Sequence, residues 1–196
     1  MKEILLNINA DVGEGIGNEH LLFPLISSCN IACGGHTGDL ESMLAIVKLA
    51  KKHKLKMGAH PSFPDKENFG RKTISISKDE LLKSLIYQIE SLNSILIKEN
   101  CSLHHVKPHG ALYNLAANDK ETAKIIVDIM KKIDVKLYVP YSSLIAKIAK
   151  KANVQIYYEL FLDRNYNSDL TLVSRKNDNA LIKDSNVMFK HAYSII

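Results

Sequence analysis

A chain of 196 residues, 46% of them hydrophobic, has the length of one domain and enough apolar material for a core of ordinary size, which excludes a disordered chain, a collagen and a small disulfide scaffold. Its formal charge of +5 comes from 26 Lys+Arg against 21 Asp+Glu, but only Arg71, Arg164 and Arg175 are arginines and the lysines are scattered over helical patterns, so we expect solvated faces and no nucleic-acid partner. Three cysteines without paired spacing, no apolar run near the roughly 18 residues of a membrane span and no signal-peptide pattern lead us to expect a cytoplasmic protein with no membrane partner.

From the amino terminus onward, short runs rich in Ile, Val, Leu and Tyr alternate with amphipathic stretches at helical spacing, the pattern of β-α units around a parallel sheet. The first strand is expected over Glu3 to Ile8 and runs into Asn9-Ala10-Asp11-Val12-Gly13-Glu14-Gly15. The second, Ser28 to Cys33, leads into Gly34-Gly35-His36-Thr37-Gly38-Asp39, with Asp39 placed to cap a helix reaching His53. The third, Leu55 to Ala59, ends in His60-Pro61, and its loop carries Asn68-Phe69-Gly70-Arg71. Ser77 and Glu80 form a capping-box pattern that opens a helix to about Lys98.

A fourth strand, His104 to Lys107, is followed by Pro108-His109-Gly110. Helices over Asn118 to Ile133 and Ser142 to Ala152 flank a strand over Lys136 to Val139, and a sixth strand, Val154 to Tyr158, is followed by Glu159. The tail from Leu160 offers two short strand-like pieces, Leu170 to Val173 and Ala180 to Ile182, then a helix from Asn186. No linker or low-complexity tract divides residues 1–196, so they are expected to form a single α/β domain. Its architecture should be a (β/α) barrel, or, as second choice, an open doubly wound sheet. A closed eight-stranded barrel takes roughly 250 residues, which leaves this chain short of about its last β-α unit.

In such folds the active site lies at the carboxyl ends of the strands. His36, His60 and His109 stand at three such ends and converge with Asp11 and Glu14 on one rim, whereas His20, His53, His104 and His191 fall on helical patterns or at a strand start and read as structural. Neither a Walker loop nor a nucleophile elbow occurs, and Gly13-Glu14-Gly15-Ile16-Gly17 departs from the dinucleotide fingerprint. Two readings of the remaining carboxylates and histidines stay open. Asp11 with His36, His60 or His109 could hold a divalent metal, or a carboxylate could act as general base while a histidine or Lys107 polarises a carbonyl. Arg71, in a long strand-end loop, suits capture of a substrate carboxylate.

Five motifs in series carry a resemblance: Asn9-Ala10-Asp11-Val12-Gly13-Glu14-Gly15; Asn30-Ile31-Ala32-Cys33-Gly34 with His36, Gly38 and Asp39; Gly58-Ala59-His60-Pro61; Phe69-Gly70-Arg71; and Val106-Lys107-Pro108-His109-Gly110-Ala111-Leu112-Tyr113-Asn114. Together they resemble the LamB/YcsF family. The resemblance implies a barrel-like β/α fold related to that of polysaccharide deacetylases. It further implies opening of the lactam of 5-oxoproline to L-glutamate, with ATP as co-substrate handled by partner subunits B and C.

On that basis Asp11, Glu14, His60, Lys107 and His109 are the expected catalytic residues, with Asn9, Asn30, His36, Arg71, Tyr113 and Asn114 expected around the substrate. In this scheme Asp11 or Glu14 directs water, His60 or His109 protonates the departing ring nitrogen, and Lys107 stabilises charge on oxygen or phosphate. Gly35 stands where the family usually has a bulkier residue, and Ser62-Phe63 where Gly-Tyr is common. The alternatives are a metal-dependent amide or acetyl hydrolase and a shortened, non-catalytic form of the family's chain. The short length also leads us to expect self-association or cover by the partners.

Overall fold

The computed structural model describes residues 6–174 and 176–195. Six strands, β1 (Asn9–Val12), β2 (Ser28–Ala32), β3 (Lys56–His60), β4 (His105–Val106), β5 (Lys136–Pro140) and β6 (Ile156–Glu159), form one parallel sheet in chain order. The sheet curls into a half-barrel with helices outside it. Parallel neighbours need a crossover. The principal ones are α2 (Leu40–Lys52), α3 (Lys78–Lys98), α5 (Lys120–Ile133) and α6 (Leu144–Lys151), while short α1 (Glu19–Leu22) and α4 (Gly110–Ala116) sit next to the rim and α7 (Ser185–Ile195) ends the described chain. No helix among the described residues is long and apolar enough to cross a membrane.

The helices begin where local chemistry starts them. Asp39 accepts from the Ser42 amide at 2.8 Å while the Ser42 hydroxyl bonds the Asp39 backbone N–H, and Ser77 with Glu80 closes the same kind of box at the start of α3. These bonds satisfy amides that the first helical turn leaves unpaired. One face of each helix then buries Val47, Leu85, Leu92, Leu96 and Ile126 against sheet residues such as Ile31, Ala59, Val106 and Leu137.

Two expectations are corrected. Part of the expected first strand, Glu3 to Leu5, lies outside the described residues, and Leu6 to Ile8 is not strand. The strand begins at Asn9, in register with Ser28, and leaves Leu6 and Ile8 exposed. The apolar run misleads because pairing with β2 decides the boundary. The tail pieces Leu170 to Val173 and Ala180 to Ile182 make only isolated antiparallel bridges, Tyr166 with Leu172 and Arg164 with Leu181, and Asp178–Ala180 is a 3-10 turn. The buried Arg164 guanidinium donates to the carbonyls of Val173 (2.7 Å) and Ala180 (3.2 Å) and so ties the two pieces together. The sequence gives no sign of the four-residue α1 or the seven-residue α4, since neither is long enough to show a period.

Candidate functional site

The register of the sheet builds the site in layers. Asp11, Asn30, Gly58 and His105 stand opposite one another across β1 to β4, giving a polar row over four adjacent strands. His60 closes β3, Lys107 and His109 follow β4, Glu159 closes β6, and Glu14 and His36 lie on the turns after β1 and β2.

Asp11 is held from several directions. Its Oδ1 accepts from Lys107 Nζ at 2.9 Å and from Asn30 Nδ2 at 2.8 Å, and its Oδ2 lies 3.3 Å from His60 Nε2. Burial alone would raise this carboxyl, but His60 and Lys107 outweigh it and hold it well below the ordinary range. Glu14 behaves alike: against burial, the hydrogen bond with His36 Nε2 at 2.9 Å and the nearby His60 lower it. Lys107 is buried between Asp11 and Glu159, 2.9 Å from each. Burial would lower the ammonium, yet the two carboxylates raise it above its usual value, so it stays cationic.

The histidine tautomers follow from their backbone partners. His60 Nδ1 lies 2.7 Å from the Lys107 carbonyl and His109 Nε2 lies 3.0 Å from the Phe69 carbonyl. Carbonyls only accept, so both of these nitrogens carry hydrogen. The other pair, His60 Nε2 and His109 Nδ1, face each other at 3.0 Å. Burial, then the neighbouring His60 and His36, push His109 down to about 4, and burial also lowers His36. His36 stacks flat on His109 with centroids 3.7 Å apart. The Phe69 carbonyl reaches this point from a residue at φ +54°, a conformation an L side chain adopts at some cost.

One ligand atom from each of Glu14, His36, His60 and His109 lies within 4.8 Å of the others, so these four residues could hold a metal ion. Beside them, on the far side of Lys107, a cavity of about 620 Å³ opens between α4, β6 and the tail, lined among others by Tyr113, Asn114, Glu159 and Phe161. Phe161 lies 5.2 Å under the Lys107 ammonium. Burial and the adjacent Glu159 carboxylate keep the Tyr113 hydroxyl protonated.

Asp11, Glu14, His36, His60, Lys107 and His109 are thus brought together, and Tyr113 and Asn114 line the neighbouring cavity. Three expected substrate contacts sit elsewhere. Asn30 is wholly buried behind the carboxylate, donating to Asn9 Oδ1 (2.6 Å) and Asp11, and Asn9 in turn accepts from Lys107 at 3.4 Å. Arg71 is exposed, its guanidinium 5.0 Å over the Phe69 ring, one residue layer out from His36 and His109.

Two groups escape a reading of the sequence. His105 is fully buried, stacks on Tyr138 and lies 2.6 Å from Asn30 Oδ1 through Nε2, so it props the amide that props Asp11. Its signal is Gly58, a glycine inside a strand: a Cβ there would come within 2.2 Å of the His105 ring. Glu159 stands at a strand end to which the sequence gives no role, and only the curl of the sheet brings it to Lys107.

The two departures from the family pattern meet in space. A side chain at Gly35 would collide with Gln88 Oε1 and Ser62 Oγ, both 2.3 Å from its Cβ, and Gln88 clamps the Ser62 backbone with two 2.9 Å hydrogen bonds. The room that a bulkier residue would take is filled by Gln88.

Known proteins share this outline. The sequence model described as the LamB/YcsF family matches residues 6–196. A Haemophilus influenzae protein named as the A subunit of 5-oxoprolinase is 43% identical over 185 residues, covering 93% of this chain and 75% of that protein. A Bacillus cytotoxicus protein of the same name is 42% identical, covering 92% and 75%. Among solved structures, the lactam utilization protein from Thermus thermophilus superposes with a TM-score of 0.94 at 37% identity, covering 98% of this chain and 81% of that one.

Proposed function

The chain belongs to the LamB/YcsF family, and from that membership we propose that it acts as the A subunit of a 5-oxoprolinase, opening the lactam of 5-oxoproline to L-glutamate with ATP and partner subunits B and C. The names of the Haemophilus, Bacillus and Thermus relatives support this reading. The observation that carries it is Lys107, a buried cation that bridges Asp11 of the histidine cluster to Glu159, which lines a cavity large enough for a small cyclic amide.

A lactam is a resonance-stabilised amide, and its carbon becomes open to water once the oxygen is phosphorylated. We assign that transfer from ATP to the partners. Water then adds at the phosphorylated carbon, the C–N bond breaks as nitrogen takes a proton, and loss of phosphate to a second water leaves the new carboxylate of glutamate.

Asp11, the most open of the clustered carboxylates with 32% of its side chain exposed, directs the water from Oδ2. Lys107 stabilises charge on the lactam or phosphate oxygen, as a fixed cation in a site that excludes bulk water does best. The test is a coupled glutamate-release assay with separately purified subunits B and C. ATP-dependent glutamate from the complete set, and none from any subset, is expected. No release from the complete set, or release by this chain alone without ATP, overturns the proposal.

A further inference from the structure

The centre of the cluster holds more acceptors than it has protons to offer. His60 Nε2 has His109 Nδ1 at 3.0 Å, Asp11 Oδ2 at 3.3 Å and Glu14 Oε1 at 3.9 Å, and Glu14 Oε1 lies 3.5 Å from His109 Nδ1. The far nitrogens of both rings are committed to backbone carbonyls as donors, so two lone pairs and two carboxylate oxygens converge on one point. A single proton on His60 can serve only one of these neighbours. The nearby cation, Lys107, is already shared by Asp11 and Glu159.

The geometry points to a divalent first-row transition metal ion at this centre, held by His60 Nε2, His109 Nδ1 and Glu14 Oε1, with the Asp11 carboxylate beside it. A tetrahedral ion with bonds of about 2.0–2.1 Å sets its ligand atoms about 3.3 Å apart, and the three separations among His60 Nε2, His109 Nδ1 and Glu14 Oε1, 3.0, 3.5 and 3.9 Å, lie around that value. Two imidazoles with a carboxylate suit zinc, manganese or iron. The carbonyls behind the rings supply the outer hydrogen bonds that orient metal-bound histidines.

His36 is placed outside the ligand set although it is close enough to join it. Its ring is parallel to that of His109 within 2°, at 3.7 Å, and one ion cannot lie in the planes of two stacked rings. His36 Nε2 instead holds the Glu14 carboxylate at 2.9 Å, and so acts through a ligand as a positioning residue.

The inference concerns metal binding alone and does not depend on the lactam reading, so either can fail without the other. Full-length protein stripped with a chelator is titrated with Co²⁺ under visible absorption, with Zn²⁺ in competition and by calorimetry, and its thermal midpoint is followed. One ion per chain, the intense visible bands of a four- or five-coordinate nitrogen–oxygen site and a raised midpoint are expected. His109→Gln and Glu14→Gln should each weaken binding by more than about 100-fold. His36→Phe, which keeps the stack but loses the hydrogen bond to Glu14, should cost about 10- to 100-fold. Absence of saturable Co²⁺ or Zn²⁺ binding by the unaltered chain overturns the inference and leaves a proton at the centre, a result that requires no variant to fold. Unchanged affinity in folded His109→Gln and Glu14→Gln overturns it as well.

Discussion

Lys107 has one arrangement available to it. A buried ammonium is tolerated only with carboxylates at hydrogen-bond distance, and it has two, on strands at opposite ends of the sheet. Lys107→Met should therefore lower kcat by about 10²–10³ with the complex assembled, the loss typical of removing one preorganised charge-stabilising donor, while KM moves little. Steady-state kinetics of glutamate release checks this. The variant should also be less stable than the parent, because Asp11 and Glu159 then face each other's field without the intervening cation. Gly58 is a second single-residue test. Gly58→Ala puts a methyl into the His105 ring, so an overpacking loss of about 1–3 kcal/mol is expected in denaturant unfolding. Activity should fall too, since Asn30 and Asp11 lose their support.

At the scale of elements, the polar row across β1 to β4 makes the sheet sensitive to acid. Burial, then the neighbouring His104, lowers His105 to about 3, against about 6.5 for an unfolded histidine. Its unfolded form therefore binds a proton that the folded form refuses. Stability is greatest above about pH 6.5 and falls with pH between that value and about 3, by at most about 1.4 kcal/mol per pH unit from this residue. His109, lowered to about 4, adds a like term over a shorter window. Urea unfolding of chelator-treated protein at pH 7.5, 6 and 5 should show that slope, and His105→Gln should flatten it. A His105→Gln variant that keeps the parent's slope removes His105 as its origin. The helix starts predict a separate effect: Ser77→Ala, which deletes the α3 cap, should cost about 1 kcal/mol without changing kcat.

For the whole molecule, the division of labour can be checked without the reaction. The sequence contains no phosphate-binding loop. The chain on its own should show no saturable ATP binding by calorimetry at micromolar concentrations. Binding of that strength would move the nucleotide chemistry onto this chain.

What can be read from the chain alone is local. Apolar period, the Asp39 and Ser77 caps and Pro140 place four principal helices and five of the six strands within a residue or two, because helix starts and buried runs are set by neighbours close in sequence. The motif residues at strand ends are legible because parallel β-α folds collect chemistry there. The sequence does not place the start of β1, the role of His105 or the partner of Lys107, each of which depends on residues distant in the chain. Pairing with Ser28 starts β1, a missing side chain at Gly58 admits His105, and the curl of six strands carries Glu159 to Lys107. Nor can it show that Asn30 and Arg71 stand off the cavity wall, or that Gln88 fills the space beside Gly35. Register and curvature are properties of the packed sheet, so they decide which polar groups meet and at what distance.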